Sequence, residues 1–181
     1  MYLYNLLNKS TYTFNFEKWF SNFNIQYDEI KMWKHILLKA SKNISLRNCT
    51  GYYFQYPLNL GQENVLLHFN VDRIQNLSHQ DIYDIKLSEI STDYKNFSYI
   101  YSPTSKYSSE HITTAAPIIF CPLPTYYGIR NVVIDGNHRV TAKKARQISQ
   151  ITAITYIPNS QNDFLNEFEY KLYSFLKFLY F

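Results

Sequence analysis

The chain has 181 residues, of which 46% are hydrophobic and 18% are charged, and its formal net charge is +4. This composition excludes an intrinsically disordered protein, and the length suits one ordinary domain with a modest extension at either end. The charge permits an anionic partner without requiring one, because nucleic-acid-binding domains are usually more strongly basic.

The cysteines and the N-terminal sequence argue against further classes of protein. Cys49 and Cys121 lie far apart and belong to no Cys/His spacing that would bind structural zinc. The N-terminus lacks the basic start and apolar run of a signal peptide. No stretch approaches the roughly 18 consecutive apolar residues of a membrane span. We therefore expect a cytoplasmic protein with no membrane partner.

Residues 1–82 are predicted to form a mostly helical, aromatic-rich extension. Apolar residues recur at helical spacing in two stretches, 16–23 and 30–40. Runs of aromatic and β-branched residues at 52–57 and 65–71 predict two short strands.

The pattern changes near Asp84, where a half-buried strand is predicted over residues 84–90. A loop-like stretch follows, then a short helix over 109–116 with Ser108 or Ser109 as its cap. Residues 118–120 read as a buried strand that Pro122 and Pro124 are expected to interrupt. A hairpin turn is predicted at 126–130.

The most informative stretch is predicted to be a strand at 131–134, a turn at 135–137, a helix at 138–150 and a strand at 151–157. Ala142, Ala145 and Ile148 would form the inward face of the helix. Strand, tight turn, helix and strand in this order is the outline of a crossover unit.

The last segment, 159–181, is predicted to be an amphipathic helix. Ser160 and Asp163 form a plausible capping pair at its start. The apolar residues of one face are Phe164, Phe168, Leu172, Phe175 and Leu179. This face is expected to pack on the domain or on a second copy of the chain, which would give a homodimer.

The turn at 135–139 has the features of an anion site. Gly136 lets a ligand approach the backbone, and the helix that follows offers unpaired N–H groups and the positive end of its dipole. Arg139 can direct two hydrogen bonds to phosphate oxygens. His138 and Asn137 add polar groups at the same rim. Asp135 could hold a metal ion, take a proton or brace the turn, and the same residues could also form a turn without any ligand.

A basic cluster follows in the same predicted helix. Its members are Lys143, Lys144 and Arg146. They are predicted either to contact nucleic acid or to form a solvated helix face, and the sequence does not distinguish the two.

Residues 133–142, Val-Ile-Asp-Gly-Asn-His-Arg-Val-Thr-Ala, resemble the phosphate-binding box of the ParB/sulfiredoxin superfamily. The predicted strands at 85–90 and 151–157 and the segment 116–119 are similar to the elements that flank this box. The resemblance covers about residues 83–158 and implies an α+β fold with a compact mixed sheet. It divides the chain into an extension at 1–82, a ParB/sulfiredoxin-like domain at 83–158 and a helix at 159–181.

The branches of the superfamily differ in chemistry. Sulfiredoxins carry a catalytic cysteine in the box, where this chain has Asn137 and His138. ParB partition proteins usually carry Glu-Arg-Arg after the glycine and bind CTP. The form Asp-Gly-x-His-Arg is closer to the free serine kinase-like branch, in which the box holds a nucleotide and an early carboxylate acts as base. For this chain, the resemblance implies Asp93 as that base and, as the second choice, Glu89.

The resemblance thus implies a phosphotransferase or nucleotide hydrolase that binds ATP, ADP or CTP with Mg²⁺. Gly136, Asn137, His138 and Arg139 would hold the nucleotide, Asp135 would contact the metal, and Asp93, Asp135 and His138 would be the catalytic residues. Two alternatives stay open. One is a nuclease or a DNA- or RNA-binding protein that uses Lys143, Lys144 and Arg146, and the other is a non-catalytic interaction protein of a mobile element.

Overall fold

The computed structural model describes residues 28–42, 51–59, 64–76, 81–104 and 116–180. The helices predicted at 16–23 and 109–116 lie outside these ranges, apart from Ala116. The fold is α+β, as predicted: it combines helices, a six-stranded mixed sheet and a separate two-stranded antiparallel sheet. The chain divides into two units, one formed by Met1–Asn70 with Ser160–Phe181 and the other by Val71–Asn159.

The described residues of the first unit form two helices and a hairpin. Helix α1 is Asp28–Lys42, and strands β1, Tyr53–Asn59, and β2, Asn64–Asn70, pair antiparallel. The helix predicted at 30–40 and the strands predicted at 52–57 and 65–71 are confirmed. Val65, Leu67 and Phe69 on one face of β2 are buried, and His68 on the opposite face is buried as well.

The C-terminal segment completes the first unit. Ser160 and Asp163 do form a capping box, but it caps a 3₁₀ turn, Gln161–Asp163, and not the long helix. The last helix, which begins only at Glu167, spans Glu167–Tyr180 in the part of the chain that the structure describes. Phe168, Leu172 and Phe175 are buried within this unit, so the predicted apolar face packs on its own chain. A homodimer through this helix stays a prediction.

A buried polar network links β2 to this last helix. Glu169, His68 and Asn166 are 0%, 1% and 2% exposed. The Glu169 carboxylate accepts the His68 backbone N–H at 2.8 Å and the Asn166 amide at 3.1 Å, and its Oε1 lies 2.9 Å from His68 Nδ1. The network therefore satisfies polar groups that burial would otherwise leave without partners.

Burial makes this network sensitive to pH. Burial raises the pKa of Glu169 above its ordinary 4.5, and the hydrogen bond and charge of His68 oppose that shift. The native state therefore keeps the Glu169 proton to a higher pH than the unfolded chain does. As the pH rises from 4.5 through the raised pKa, the contribution of Glu169 should lower the free energy of unfolding.

We expect this pH-dependent loss of stability to disappear in Glu169→Gln. The measurement is urea unfolding between about pH 4.5 and 8, followed by the fluorescence of Trp33. The Trp33 ring lies 5.7 Å from the Phe175 ring in this unit. Equal pH slopes for the wild type and Glu169→Gln would contradict the assignment to Glu169.

The second unit is built on the six-stranded sheet. In chain order, its elements begin with helix α2, Val71–Gln75, which precedes strand β3, Ile82–Lys86. The remaining strands are β4, Ile90–Ser91; β5, Tyr99–Ile100; β6, Ile118–Thr125; β7, Gly128–Asp135; and β8, Gln150–Thr155. Their order in the sheet is β3-β8-β6-β7-β5-β4. Helix α3, Asn137–Ala145, lies between β7 and β8 in the sequence, and the last helix of the first unit is α4. The core of this unit includes Ile118, Phe120, Val133, Val140 and Ile151.

The single strand predicted over 84–90 is wrong. A 3₁₀ turn, Leu87–Glu89, divides this stretch, and β3 and β4 lie at opposite edges of the sheet. The single strand was predicted from three apolar residues, Ile85, Leu87 and Ile90. They belong to one core cluster, but Ile85 lies on β3, Leu87 in the 3₁₀ turn and Ile90 on β4.

The predicted interruption by Pro122 and Pro124 is also wrong, because β6 continues to Thr125. The pairing of β6 with β8 extends only from Ile118 to Phe120, so the following residues pair with β7 alone. Proline is tolerated where its nitrogen faces an unpaired side of a strand. The hairpin turn predicted near 126–130 occurs at Tyr126 and Tyr127.

The strand, turn, helix and strand at 128–155 are confirmed, but they do not form a parallel crossover. Strand β6 lies between β7 and β8, antiparallel to the first and parallel to the second. Strands β7 and β8 therefore run in opposite directions.

Helix α3 ends at Ala145 and not near Gln150. Gln147 has a positive φ of 57°, and the N–H groups of Gln147 and Ile148 bond to the carbonyls of Lys144 and Lys143. This is the Schellman termination, here without the usual glycine. Ala142 is buried as predicted, whereas Ala145 and Ile148 are exposed and Val140 supplies the other inward side chain.

Candidate anion-binding site

The candidate site is the turn between β7 and α3. Strand β7 ends at Asp135, and Asp135 is paired with Ile119 near the start of β6. The pairing register shifts between Ile119 and Phe120, so an irregularity of the sheet lies beside the turn. Such irregularities redirect side chains at the rims of sheets.

The turn requires glycine at position 136. Gly136 has φ 96° and ψ 15°, a left-handed conformation that other residues rarely adopt. A Cβ on this residue would lie 2.5 Å from Cγ2 of Ile118 and 2.9 Å from Nη2 of Arg139. The glycine is therefore fixed by both its backbone angles and the close approach of its neighbours.

Gly136 is also the N-cap of α3, and glycine has no side chain of its own that could cap this end of the helix. The first hydrogen bond of the helix runs from Val140 N–H to the Gly136 carbonyl at 2.9 Å. The N–H groups of the first turn have no acceptor inside an α-helix, and they coincide with the positive end of its dipole. An anion with suitable oxygens is a natural partner for this end.

Arg139 is held beside the turn by two acceptors. Its Nη2 donates to Asp135 Oδ2 at 2.9 Å and to the Pro117 carbonyl at 3.0 Å. The Arg139 and Asp135 side chains are 13% and 16% exposed. The Nε of Arg139 is buried and makes no hydrogen bond within the described part of the chain. Arg139 therefore lies at the predicted place, already paired with a carboxylate.

Asn137 has a structural part in the turn. Its Oδ1 accepts the Ser102 N–H at 2.8 Å, and its Nδ2 donates to the Val133 carbonyl at 3.0 Å. One turn along α3, Thr141 Oγ1 accepts the Thr104 N–H at 3.3 Å. These hydrogen bonds hold the segment after β5 against the start of α3. Of the predicted box residues, His138 presents the most exposed side chain.

Asp93 lies in a separate turn, after β4. Its carboxylate accepts the Lys95 N–H at 2.9 Å and the Asn96 side-chain amide at 2.7 Å. The Asn96 side-chain hydrogen bond, followed by the Lys95 backbone N–H, lowers the pKa of Asp93. A base role for Asp93 stays a prediction, and a carboxylate of lowered pKa is a weaker base. Glu89 is exposed in the 3₁₀ turn.

The predicted basic cluster is only partly a surface feature. Lys144 Nζ donates to the Leu87 carbonyl at 2.7 Å and lies 5.5 Å from the centre of the Tyr101 ring. Burial lowers the pKa of Lys144. Lys144 therefore joins α3 to the 3₁₀ turn, while Arg146 is exposed at the end of the helix.

The residues of the site do not form a ready metal centre. No group of three or more His, Cys, Asp or Glu residues that could hold a metal occurs in the described ranges. Asp135 Oδ2 already accepts from Arg139 and from Gln75 Nε2, both at 2.9 Å. A divalent cation at that oxygen would meet the Arg139 cation, so Oδ2 does not suit a metal in this arrangement, and the metal contact of Asp135 stays a prediction.

Several residues of the site were not predicted. Gln75, the last residue of α2, lies 60 positions from Asp135, and Ser102 lies 35 positions from Asn137. The Pro117 carbonyl lies 22 positions before Arg139. No local pattern in the sequence marks these contacts, because each depends on how the chain folds back on itself.

Comparison with known proteins adds no relative: no protein-family model, no curated protein and no solved structure matches the chain. The likeness of the box to the ParB/sulfiredoxin superfamily therefore stays a prediction. In the described ranges, every helix is too short or too polar to cross a membrane.

Proposed function

We propose that the chain binds a phosphate-bearing ligand, most simply a nucleotide, at the turn Asp135 to Arg139. The observation that carries this proposal is the glycine-capped start of α3 with Arg139 beside it. Gly136 in its left-handed conformation supplies no side-chain cap of its own to this helix end, and Arg139 adds a cation next to it. Backbone N–H groups and an arginine are the donors that phosphate oxygens prefer.

The likeness to the ParB/sulfiredoxin box supports a nucleotide over a simple anion. The box lies on a strand, a tight turn and a helix, the same local order as in the superfamily's phosphate grip. The nucleotide in this proposal is ATP, ADP or CTP. Its phosphates would accept from the first turn of α3, and the exposed His138 would lie at the rim to orient them.

The proposed reaction, if the ligand turns over, is phosphoryl transfer or nucleotide hydrolysis. Such reactions depend mainly on positioning and on charge stabilisation. His138 is the most exposed of the predicted catalytic residues in the box and is our candidate for proton transfer there. Because Asp135 Oδ2 is already paired with Arg139, any Mg²⁺ would arrive with the phosphates, as it commonly does in nucleotide sites.

The test is calorimetric titration of the wild type with ATP, ADP and CTP, each with and without Mg²⁺. We expect binding that Arg139→Lys weakens about tenfold or more, because lysine keeps the charge but cannot make the planar two-pronged contact. Arg139→Lys is preferred over Arg139→Ala, since lysine can still reach the acceptors that hold this part of the fold.

Arg146→Lys is the matched control, since Arg146 caps the other end of the same helix. Its affinity for nucleotide should equal that of the wild type. The proposal fails if the wild type binds none of the nucleotides, or if the two lysine variants lose affinity equally.

Nucleic-acid binding is the second candidate and has less support. The Leu87 carbonyl and the Tyr101 ring engage Lys144, so the proposed basic face is reduced to Lys143 and Arg146. Binding to DNA or RNA would weaken steeply with added salt. A filter-binding assay at low salt tests it.

A further inference from the structure

The Asp135 carboxylate is paired with the cation that the site would offer to an anion. It lies directly before the N-cap of α3, and its Oδ2 is 2.9 Å from Nη2 of Arg139. The carboxylate therefore balances the charge of the guanidinium that lies beside the positive end of the helix dipole. An incoming phosphate would therefore meet an ion pair. It would bind more tightly to an Arg139 side chain that had no carboxylate partner.

This ion pair is held more firmly than an ordinary surface contact. Asp135 and Arg139 are 16% and 13% exposed, so water and salt screen the pair only partly. The same Oδ2 also accepts from Gln75 Nε2 at 2.9 Å, so two donors hold it. The same Nη2 of Arg139 also donates to the Pro117 carbonyl at 3.0 Å, which helps to fix the guanidinium.

Arg139 is nevertheless not fully used in this arrangement. Its Nε is buried and without a hydrogen-bond partner in the described part of the chain. A single carboxylate oxygen bonded to Nη2 leaves the two-pronged face of a guanidinium incompletely filled, although a phosphate can fill it. The present pairing therefore satisfies the charge of Arg139 but not all of its donors.

We propose that Asp135 is an autoinhibitory counter-anion, which holds Arg139 until a phosphate displaces it. This inference rests on the proposed function and assigns Asp135 a part that differs from metal binding or catalysis. Displacement costs the ligand the Asp135–Arg139 contact. The site consequently favours ligands with several negative charges, such as a nucleoside di- or triphosphate, over monoanions.

The test is the affinity of Asp135→Asn for ADP, measured by calorimetry without Mg²⁺. Asparagine has nearly the same shape, and its oxygen can still accept from Gln75 and Arg139, but it carries no charge. We expect ADP to bind about tenfold tighter than to the wild type, a factor that corresponds to about 1.4 kcal/mol. Asp135→Ser removes the same charge and should shift the affinity in the same direction, which guards against a folding defect in either variant.

Asp84→Asn is the matched control for the change in net charge. Asp84 is exposed on β3 and accepts from Thr152 Oγ1 at 3.1 Å, a bond that asparagine can also accept. Its affinity for ADP should not change. If the wild type binds ADP and both Asp135 variants bind no tighter, the inference is overturned and the proposed function stands. If the wild type and all variants fail to bind ADP, both are overturned.

Discussion

Replacing Glu169 by alanine is expected to lower the free energy of unfolding of the first unit by about 3–5 kcal/mol, because it leaves buried hydrogen-bond donors without an acceptor and opens a cavity. The substitution removes the acceptor of the His68 backbone N–H and of the Asn166 side-chain amide. Both residues are almost fully buried, so water cannot replace the lost acceptor without opening the structure. A cavity at the start of α4 adds to the loss.

Urea unfolding followed by Trp33 fluorescence measures this effect. The chain has two tryptophans, and Trp19→Phe leaves Trp33 as the single reporter. Glu167→Ala is the control, because Glu167 lies in the same first turn of α4 but is exposed. It should change stability by no more than about 1 kcal/mol. Equal losses for the two alanine variants would show that the network of His68 and Glu169 contributes little.

Replacing Gly136 by alanine is expected to destabilise the second unit by about 2–5 kcal/mol, from left-handed strain and overpacking together. The new Cβ would lie 2.5 Å from Cγ2 of Ile118, which is fully buried in the core. A packed core cannot yield by that amount without shifting other side chains. The substitution should also disturb Arg139, whose Nη2 would lie 2.9 Å from the added carbon.

Hydrogen exchange of the β6 and β7 amides measures this loss, since both tryptophans of the chain precede residue 71. Gly128→Ala is a close control. Gly128 has a similar φ of 93°, but among the described residues a Cβ there would meet only Arg130 Nη1, at 3.6 Å. This variant should cost only the strain, about 1–2 kcal/mol. Equal costs at the two glycines would mean that Ile118 moves aside without penalty.

The turn at 135–139 could be predicted from the sequence because its causes are local. The apolar run that forms β7, the glycine at position 136 and the helical pattern after it are contiguous in the chain. The capping pair of Ser160 and Asp163 was also predictable, although the helix it was expected to start begins later. Local signals thus located these features better than they located the ends of the helices.

The errors have a common physical origin in contacts between distant segments. Proline at 122 and 124 is normally incompatible with a central strand, but the pairing of β6 with β8 ends at Phe120. The stretch 84–90 has the apolar pattern of one strand, yet its two parts belong to β3 and β4, which lie at opposite edges of the sheet. Glu169 lies on an amphipathic helix, where a charged residue is expected to be exposed. It is buried instead, in contact with His68 of β2, which lies 101 positions earlier in the chain.

The sequence by itself determined the α+β class, the glycine turn and the presence of Arg139 beside it, since backbone preferences and apolar periodicity act over short distances along the chain. Tertiary structure alone decided the electrostatic state of those residues. Folding brings Gln75 and Arg139 to the same oxygen of Asp135, and it brings Lys144 to the Leu87 carbonyl. The net charge at a site depends on which residues lie close together in space. At this turn, the Arg139 cation is already paired with the Asp135 carboxylate.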